Sequence, residues 1–518
     1  MPIKIAIIGA GSIGYTRLLV HDILAVPELQ DTHFAFTDIS SANLERVTAL
    51  CQRDITANRL PAKLTSHADR CVAFADADYV ISVIRQGGLE AFTHDVDIPL
   101  KYGVDQCVGD TIAPGGIMYA QRTIAALLAI CADIRAHAKP DVLFMNYSNP
   151  MAMNTWACNK YGGVQTIGLC HGVQGGHWQI AHCVEVWARR EGLIAPEETV
   201  HRDDVQILAA GINHQTWYLQ AEWRGIDLIP MMLDLFQGHP DYPRTEKVRI
   251  DVLRRFGYYS TESNGHLSEY VPWYRKRTDE IMQWIDLSHW INGETGGYLR
   301  VCREGRNWFE TDFPNWMAET PPVLGAGRRS EEHGSYIIEA LETGRTYRGH
   351  FNVINQNHIT NLPNGCVIEI PGYADKTGIH MPVIGALPLA CAATCSASVR
   401  VQEMGMEAAV HGDVTLLKQA MLHDPLTAAV CNPIEIWQMA DEMLVAEAAW
   451  LPQYANEIDP ARERLLDAEQ NGTRVELRAT EGAARLHEKS IQEMEMDRAE
   501  ARANAAAADK GKMTKVTQ

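Results

Sequence analysis

The stretch IKIAIIGAGSIGYTRLLVHDIL (residues 3–24) constrains the fold more than any other part of the chain. Its first seven residues are an apolar run suited to a strand buried on both faces. Gly9, Gly11 and Gly14 then turn the chain into a pattern that places Leu18, Leu19, Ile23 and Leu24 on one helical face. A Gly-x-Gly-x-x-Gly loop between a buried strand and a helix lets the backbone N–H groups of Gly11, Ser12 and Ile13, with the helix dipole, meet a pyrophosphate. HFAFTDIS supplies a second strand that ends in Asp38, where a carboxylate accepts both ribose hydroxyls and repels a 2′-phosphate. NAD is therefore expected in preference to NADP.

ADYVISVIRQGG (77–88) and DVLFMNYSNP (141–150) are further buried strands, with helical YAQRTIAALLAICADIRAHA (119–138) between them. This alternation predicts an α/β fold, opening with a Rossmann-like, doubly wound parallel sheet of the lactate/malate dehydrogenase kind. We expect an NAD-binding domain over 1–175 and a mixed α+β substrate- and metal-binding domain over 176–454. A charged helical extension with a frayed end should follow over 455–518. In the second part, VQILAAGINHQTWYLQAEW (205–223) reads as strands around a short turn and CVIEIPGYAD as a strand. SVRVQEMGMEAAV reads as a helix, and residues 225–350, rich in Trp, Tyr, Gly and Pro, as loop-heavy.

The net charge of -19, from 46 Lys+Arg against 65 Asp+Glu, argues against nucleic-acid or anionic-membrane partners, which select basic patches. The N-terminus enters a strand without a basic and apolar leader, so no signal peptide is visible. The charge-free run MPVIGALPLACAATCSASV (381–399) contains Pro382 and Pro388 and reads as buried core, not a membrane span. Twelve cysteines without CxxC pairs fit buried thiols in a reducing compartment, and a cytoplasmic location is expected.

A 2-hydroxyacid dehydrogenase would carry a DxxR followed by a GxHGD. DVLR (251–254) and VHGD (410–413) are too far apart, and no glycine lies two before His411, so both are chance matches. Four other stretches place polar groups beside glycines or a proline at the ends of apolar segments. They are GDTIAPGG (109–116), NYSNPMAMNTWA (146–157), GLCHGVQG (168–175) and GINHQTWYL (211–219). A thiol next to an imidazole at 170–171, with His214 further on, suits a borderline divalent ion.

These stretches, with TESNGHLSEYVPWY (261–274) and NLPNGCVIEIP (361–371), resemble glycoside hydrolase family 4, most closely its melibiase-like α-galactosidases, from Ile3 to about Tyr454. The family is an exception to two-carboxylate glycoside hydrolysis. The resemblance implies that NAD takes a hydride from C3 of the sugar and that a base removes the acidified C2 proton. The aglycone then leaves by elimination, water adds, and the hydride returns. A divalent ion on the C2 and C3 oxygens, usually manganese, acts as Lewis acid. By the same resemblance Cys170 and His214 are the metal ligands, Asn149 contacts substrate, and Asp110 supports the base. Tyr270 is the first choice for that base and His266 the second.

Two departures bear on substrate. Family members that act on 6-phosphosugars carry Asp or Asn after the metal-binding Cys and an Arg shortly after the GG of the fourth strand. Here His171 follows Cys170, and GGLEAFTHDVD from Gly87 holds no cation for a phosphate. Unphosphorylated glycosides are expected, with His171 a candidate acid for the leaving oxygen or a substrate contact. Position 172 is Gly where melibiases tend to have Ser, so α-glucosides and α-galacturonides stay open beside α-galactosides. A net NAD-dependent dehydrogenase and a non-catalytic NAD sensor are the other readings. A homodimer or homotetramer with a small-molecule glycoside as substrate is expected.

Overall fold

The opening strand is β1 (Lys4–Ile8); its five residues pair in parallel with β2 (His33–Thr37) on one side, and its last four with β4 (Tyr79–Ser82) on the other. A computed structural model of the chain describes residues 2–288, 291–325, 329–478 and 480–501. With β3 (Lys63–His67), β5 (Leu143–Asn146) and β6 (Thr166–Gly168), these strands form a parallel sheet in the order β3-β2-β1-β4-β5-β6. Helices α1 (Ile13–Leu24), α2 (Ser41–Ala57), α3 (Arg70–Phe74), α4 (Gly88–Lys101), α5 (Ala113–His137) and α6 (Met151–Ala157) make the connections. That strand order is the doubly wound one expected, and it gathers the strands' C-terminal ends on one side.

The sheet does not stop at β6. After α7 (Gly172–Arg190) the chain forms the hairpin β7 (Val205–Ile212) and β8 (Gln215–Trp223), then β9 (Ile226–Asp227), β10 (Tyr347–Ile354), β11 (Val367–Asp375) and β12 (Gly378–His380). These strands extend the same sheet in antiparallel fashion, in the order β6-β10-β11-β7-β8-β9, with β12 on β11. The seam is the single pairing Asn352↔Gly168. A glycine is needed there: a Cβ on Gly168 would lie 2.5 Å from Thr155 Oγ1, 2.6 Å from Met151 Sδ and 2.9 Å from Asn352 Cβ.

Residues 225–350, expected to be loop-heavy, instead carry a run of short helices, among them Lys247–Phe256, Asn264–Tyr270, Gly297–Arg306, Phe313–Ala318 and His333–Thr343. The Gly and Pro that suggested loops act as helix punctuation. Gly257 (φ 78) stops one helix, and Pro314 sits in the first turn of another. The apolar run 381–399 is only partly core. Cys391, Cys395 and Val399 are buried on one face of helix Leu389–His411, whereas Val383 and Leu389 are exposed. By length and composition α5 could cross a membrane, but most of it is buried inside the molecule. The C-terminal extension begins as a helix (Ile458–Gln470), runs without regular structure over 471–478 and 480–490, and is helical again over 491–501. The end expected to fray, residues 504–518, lies outside the described residues.

Candidate functional site

At the dinucleotide end, α1 begins at Ile13 immediately after the glycine loop, leaving its first N–H groups without intrahelical partners. Asp38 accepts the Gly11 N–H on one carboxylate oxygen and the Ser40 N–H on the other, both at 2.8 Å. Each oxygen keeps a lone pair for a ribose hydroxyl. Gly9, Ser12, Asp38, Val83, Arg85 and Gln86 line a cavity of about 630 Å³. A cavity along this glycine loop, with a carboxylate at the end of β2, fits an NAD-shaped group.

Beyond it, Asp110 and Asn149 meet. Asn149 Nδ2 donates to Asp110 Oδ2 at 3.1 Å, and Arg85 reaches the same oxygen at 3.3 Å. Asp110 Oδ1 is buried with no hydrogen-bond partner among the described residues. Burial pushes the Asp110 carboxyl up, against the opposing pull of Arg85 and Asn149. Arg85 lies just before Gly87, upstream of the stretch in which 6-phosphosugar members carry their cation. Its guanidinium lies over the rings of Phe92, Tyr119 and Tyr298. The loop carrying Asp110 is held from below by Glu269, whose carboxylate accepts the N–H groups of Cys107, Val108 and Gly109. Burial raises Glu269 to about 7 despite those bonds.

The strand next to Asn149's ends at Gly168, and Cys170 follows two residues later. His214 is in the two-residue turn of the β7–β8 hairpin, at a left-handed φ of 61°. Residues 260–261 run beside β8: Trp217 bridges Ser260, and the Thr261 N–H donates to the Thr216 carbonyl at 2.7 Å. This pairing delivers Glu262, also left-handed at φ 69°, to His214. Cys170 Sγ is 3.4 Å from both His214 Nε2 and Glu262 Oε1, and the latter two are 3.7 Å apart. Together Cys170, His214 and Glu262 offer one ligand atom each within 4.8 Å. Thiolate, imidazole and carboxylate form a donor set for a divalent transition ion. Glu262 was not singled out from the sequence; the only signal was an acid immediately before Ser263, the N-cap of the helix that holds His266.

Electrostatics sharpen that picture. Burial holds His214 down at about 3, so the imidazole is neutral and able to ligate. Burial, with Glu262 and Glu369 close by, pushes the Cys170 thiol well up, so a bound cation must displace its proton. His266 packs edge-on against His214, with ring centroids 4.3 Å apart. Its Nδ1 lies 3.0 Å from Ser263 Oγ and 3.7 Å from Glu262. Burial lowers it to about 3, so it too is neutral.

Tyr270, preferred from the sequence as the base, is 1% exposed within the hydrophobic core. Its phenol faces Thr111, with the carboxylates of Asp110 and Glu262 among the nearest charges, and burial drives it well above its ordinary value. The structure thus brings Tyr270 between the two halves of the site but encloses it as a neutral phenol. His171 is the opposite case: its side chain is 71% exposed, with Nδ1 3.7 Å from Glu332.

Known proteins carry the same pattern. Residues 4–186 match the sequence model described as "Family 4 glycosyl hydrolase", and residues 209–427 match "Family 4 glycosyl hydrolase C-terminal domain". An α-galactosidase of Rhizobium meliloti (strain 1021) is 54% identical over 504 residues, covering 97% of this chain and 99% of the relative. An α-galactosidase of Bacillus subtilis (strain 168) is 33% identical over 455 residues, covering 87% and 99%. Among solved structures, the 6-phospho-β-glucosidase of Thermotoga maritima with manganese, NAD+ and glucose-6-phosphate has a TM-score of 0.68 at 22% identity, covering 86% of this chain and 99% of that one. At that identity the likeness concerns the fold.

Proposed function

The chain belongs to glycosyl hydrolase family 4, and on that footing we propose that this glycoside hydrolase is an α-galactosidase for unphosphorylated glycosides, dependent on NAD and a divalent cation, manganese by preference. The observation that carries the reading is the cluster of Cys170, His214 and Glu262 at the end of β6, one strand from the Asn149–Asp110 pair. The two close α-galactosidase relatives support the sugar, and twelve free thiols support a reducing, cytoplasmic setting. The division of the chain at about residue 175 is part of the same reading: dinucleotide contacts come from the first part, His214 and Glu262 from the second.

When bound, the dinucleotide and the cation supply a hydride acceptor for C3 and Lewis acidity for its oxygen. The chain's own residues do the rest. The glycine loop and Asp38 fix the dinucleotide. Cys170, His214 and Glu262 hold the cation. Asn149, only part-buried, contacts the sugar and holds the fully buried Asp110 beneath it, where that carboxyl supports the base. The proton at C2 goes to His266, which is neutral and in contact with both His214 and Glu262. This replaces Tyr270, whose enclosed phenol instead lines the floor between Asp110 and Glu262. His171, exposed and paired with Glu332, donates the proton that releases the aglycone oxygen.

The decisive measurement is hydrolysis of a nitrophenyl α-galactoside in deuterium oxide, with NAD and manganese present. The galactose formed should carry deuterium at C2 and none at C3, because a C2 proton exchanges with solvent while the C3 hydride is retained. Turnover without NAD, giving galactose free of C2 deuterium, refutes the mechanism. Steady accumulation of NADH with substrate would identify a net dehydrogenase instead.

A further inference from the structure

Residues 297–325 do not themselves line the dinucleotide cavity, yet they pack behind it at two places, against Arg85, which lines it, and against Gly14 of the glycine loop. At the first, Tyr298 is one of the rings against the Arg85 guanidinium, 5.4 Å from it, and Leu299 packs with Phe92 and Val96 of α4. At the second, Trp308 lies against Gly14. A Cβ on that glycine would be 3.3 Å from Trp308 Cζ3, and among the described residues beyond its own helix and chain neighbours only Trp308 comes within 4 Å of it. In dinucleotide folds the third glycine of this loop usually serves close helix–strand packing. Here it makes room for an indole at the first turn of α1, the turn whose free N–H groups face the phosphates.

The segment is then laced down along α1 and α2. Arg17 lies over the Trp316 ring at 5.7 Å, and Arg53 donates to the Trp316 carbonyl. Asn58 donates to the Pro322 carbonyl at 2.9 Å and accepts from the Leu324 N–H at 3.0 Å. Its outer side is pinned by the C-terminal extension. Arg498 pairs with Asp312 at 2.9 Å, the Lys489 N–H donates to Glu304 at 3.1 Å, and Arg303 pairs with Glu488 at 3.3 Å. Further along, Ala483 donates to Asp105 at 2.7 Å, at the root of the Asp110 loop.

We propose that residues 297–325, clamped by residues 488–498, form a retaining wall that keeps NAD bound from one turnover to the next. The proposal rests on the reading of the chain as an NAD-dependent hydrolase. In such an enzyme the hydride returns to the sugar it came from, so nothing requires the dinucleotide to leave. A net dehydrogenase must release its reduced cofactor every cycle, and a wall here would slow it. An indole beside the phosphate-binding amides also excludes water, which strengthens their hydrogen bonds.

The test loads the full-length enzyme with radiolabelled NAD, dilutes it into excess unlabelled NAD, and follows the label retained. Trp308→Ala should raise the dissociation rate by about tenfold or more, since affinity differences within one site are expressed mainly in the off-rate. Trp308→Phe should stay near the wild type. Arg498→Glu sets a carboxylate against Asp312 without touching the wall's own aromatic residues, and should raise the rate severalfold. If Trp308→Ala fails to fold, Arg498→Glu decides the matter. Dissociation within about twofold of wild type in the folded variants overturns the wall, a change too small to count against normal affinity scatter. A wild-type enzyme that exchanges its label at once, or equal rates in every variant, overturns the wall alone, whereas a wild-type enzyme that takes up no NAD during loading overturns the wall and the NAD assignment together.

Discussion

Replacing Gly172 with alanine tests the role of Glu262 without altering any of the three donors. Gly172 is the first residue of α7, and the Glu262 carboxylate occupies the space where a side chain would begin. A Cβ there would be 1.5 Å from Oε1, 2.4 Å from Cδ and 3.1 Å from Cγ of Glu262. To regain ordinary contact the carboxylate must retreat by roughly 1.5–2 Å, whereas metal–ligand distances tolerate only about 0.2 Å. In the rotamer seen here Glu262 thus cannot ligate beside a Cβ, while Cys170 and His214 stay in place. Losing one donor should weaken manganese binding by about 10–100-fold, which is about 1.4–2.8 kcal/mol. Stability moves the other way or not at all, because alanine is a better helix residue than glycine by up to about 1 kcal/mol and the displaced side chain is flexible. Titration followed by manganese EPR gives the affinity, and thermal melting of the metal-free protein gives the stability. A variant that melts normally and binds manganese within about twofold of wild type would refute the three-donor site, that factor being only about 0.4 kcal/mol.

Other outcomes are equally specific. Asp38→Gly should weaken NAD and narrow the preference over NADP, measured as the ratio of activities with the two dinucleotides; a ratio unchanged from wild type removes Asp38 from the ribose site. His266→Gln should abolish C2 deuterium incorporation while Tyr270→Phe retains it, and the reverse result would restore Tyr270 as the base. Glu369 is 1% exposed, and burial raises its carboxyl to about 8. Between about pH 4.3 and 8 the unfolded chain has lost this proton and the folded chain still holds it, so stability falls by up to about 1.4 kcal/mol per pH unit. Glu369→Gln should remove that slope from urea midpoints measured between those limits, and an identical slope in the variant would show that Glu369 is not its source.

What could be read from the sequence was what depends on neighbours in the chain. The glycine loop, the strand ending at Asp38 and the Cys170–His171 pair are each made within a few residues, and the sheet order follows from alternating patterns. Glu262 was hidden because pairing of residues 260–261 with 216–217, some 45 positions earlier, is what brings it to His214. Tyr270 reads differently in the fold for a related reason. A tyrosine beside an acidic residue looks reactive in one dimension, and only packing reveals that its hydroxyl is enclosed. Arg85 was not legible because the cation of 6-phosphosugar members lies downstream of the glycine pair, whereas the fold turns this upstream side chain into the cleft.

The donors' origins explain a buried acid that otherwise only weakens the protein. Cys170 follows the last parallel strand, while His214 and Glu262 belong to the antiparallel part, so their spacing depends on the seam between the two. Main-chain pairing between the donors is thin: Asn352↔Gly168 alone forms the seam of β10 with β6, and within the antiparallel part Glu369↔Gly211 joins β11 to β7. Glu369 reinforces both joints, accepting from Asn352 Nδ2 at 3.2 Å and from Thr216 Oγ1 at 2.7 Å. Asn352 pairs with the residue two before Cys170, and Thr216 lies two after His214. One carboxyl therefore ties the backbone beneath one donor to the backbone beneath another. Its burial costs stability at neutral pH, and the cost is tolerated because a ligand spacing that must hold to a few tenths of an ångström runs through it.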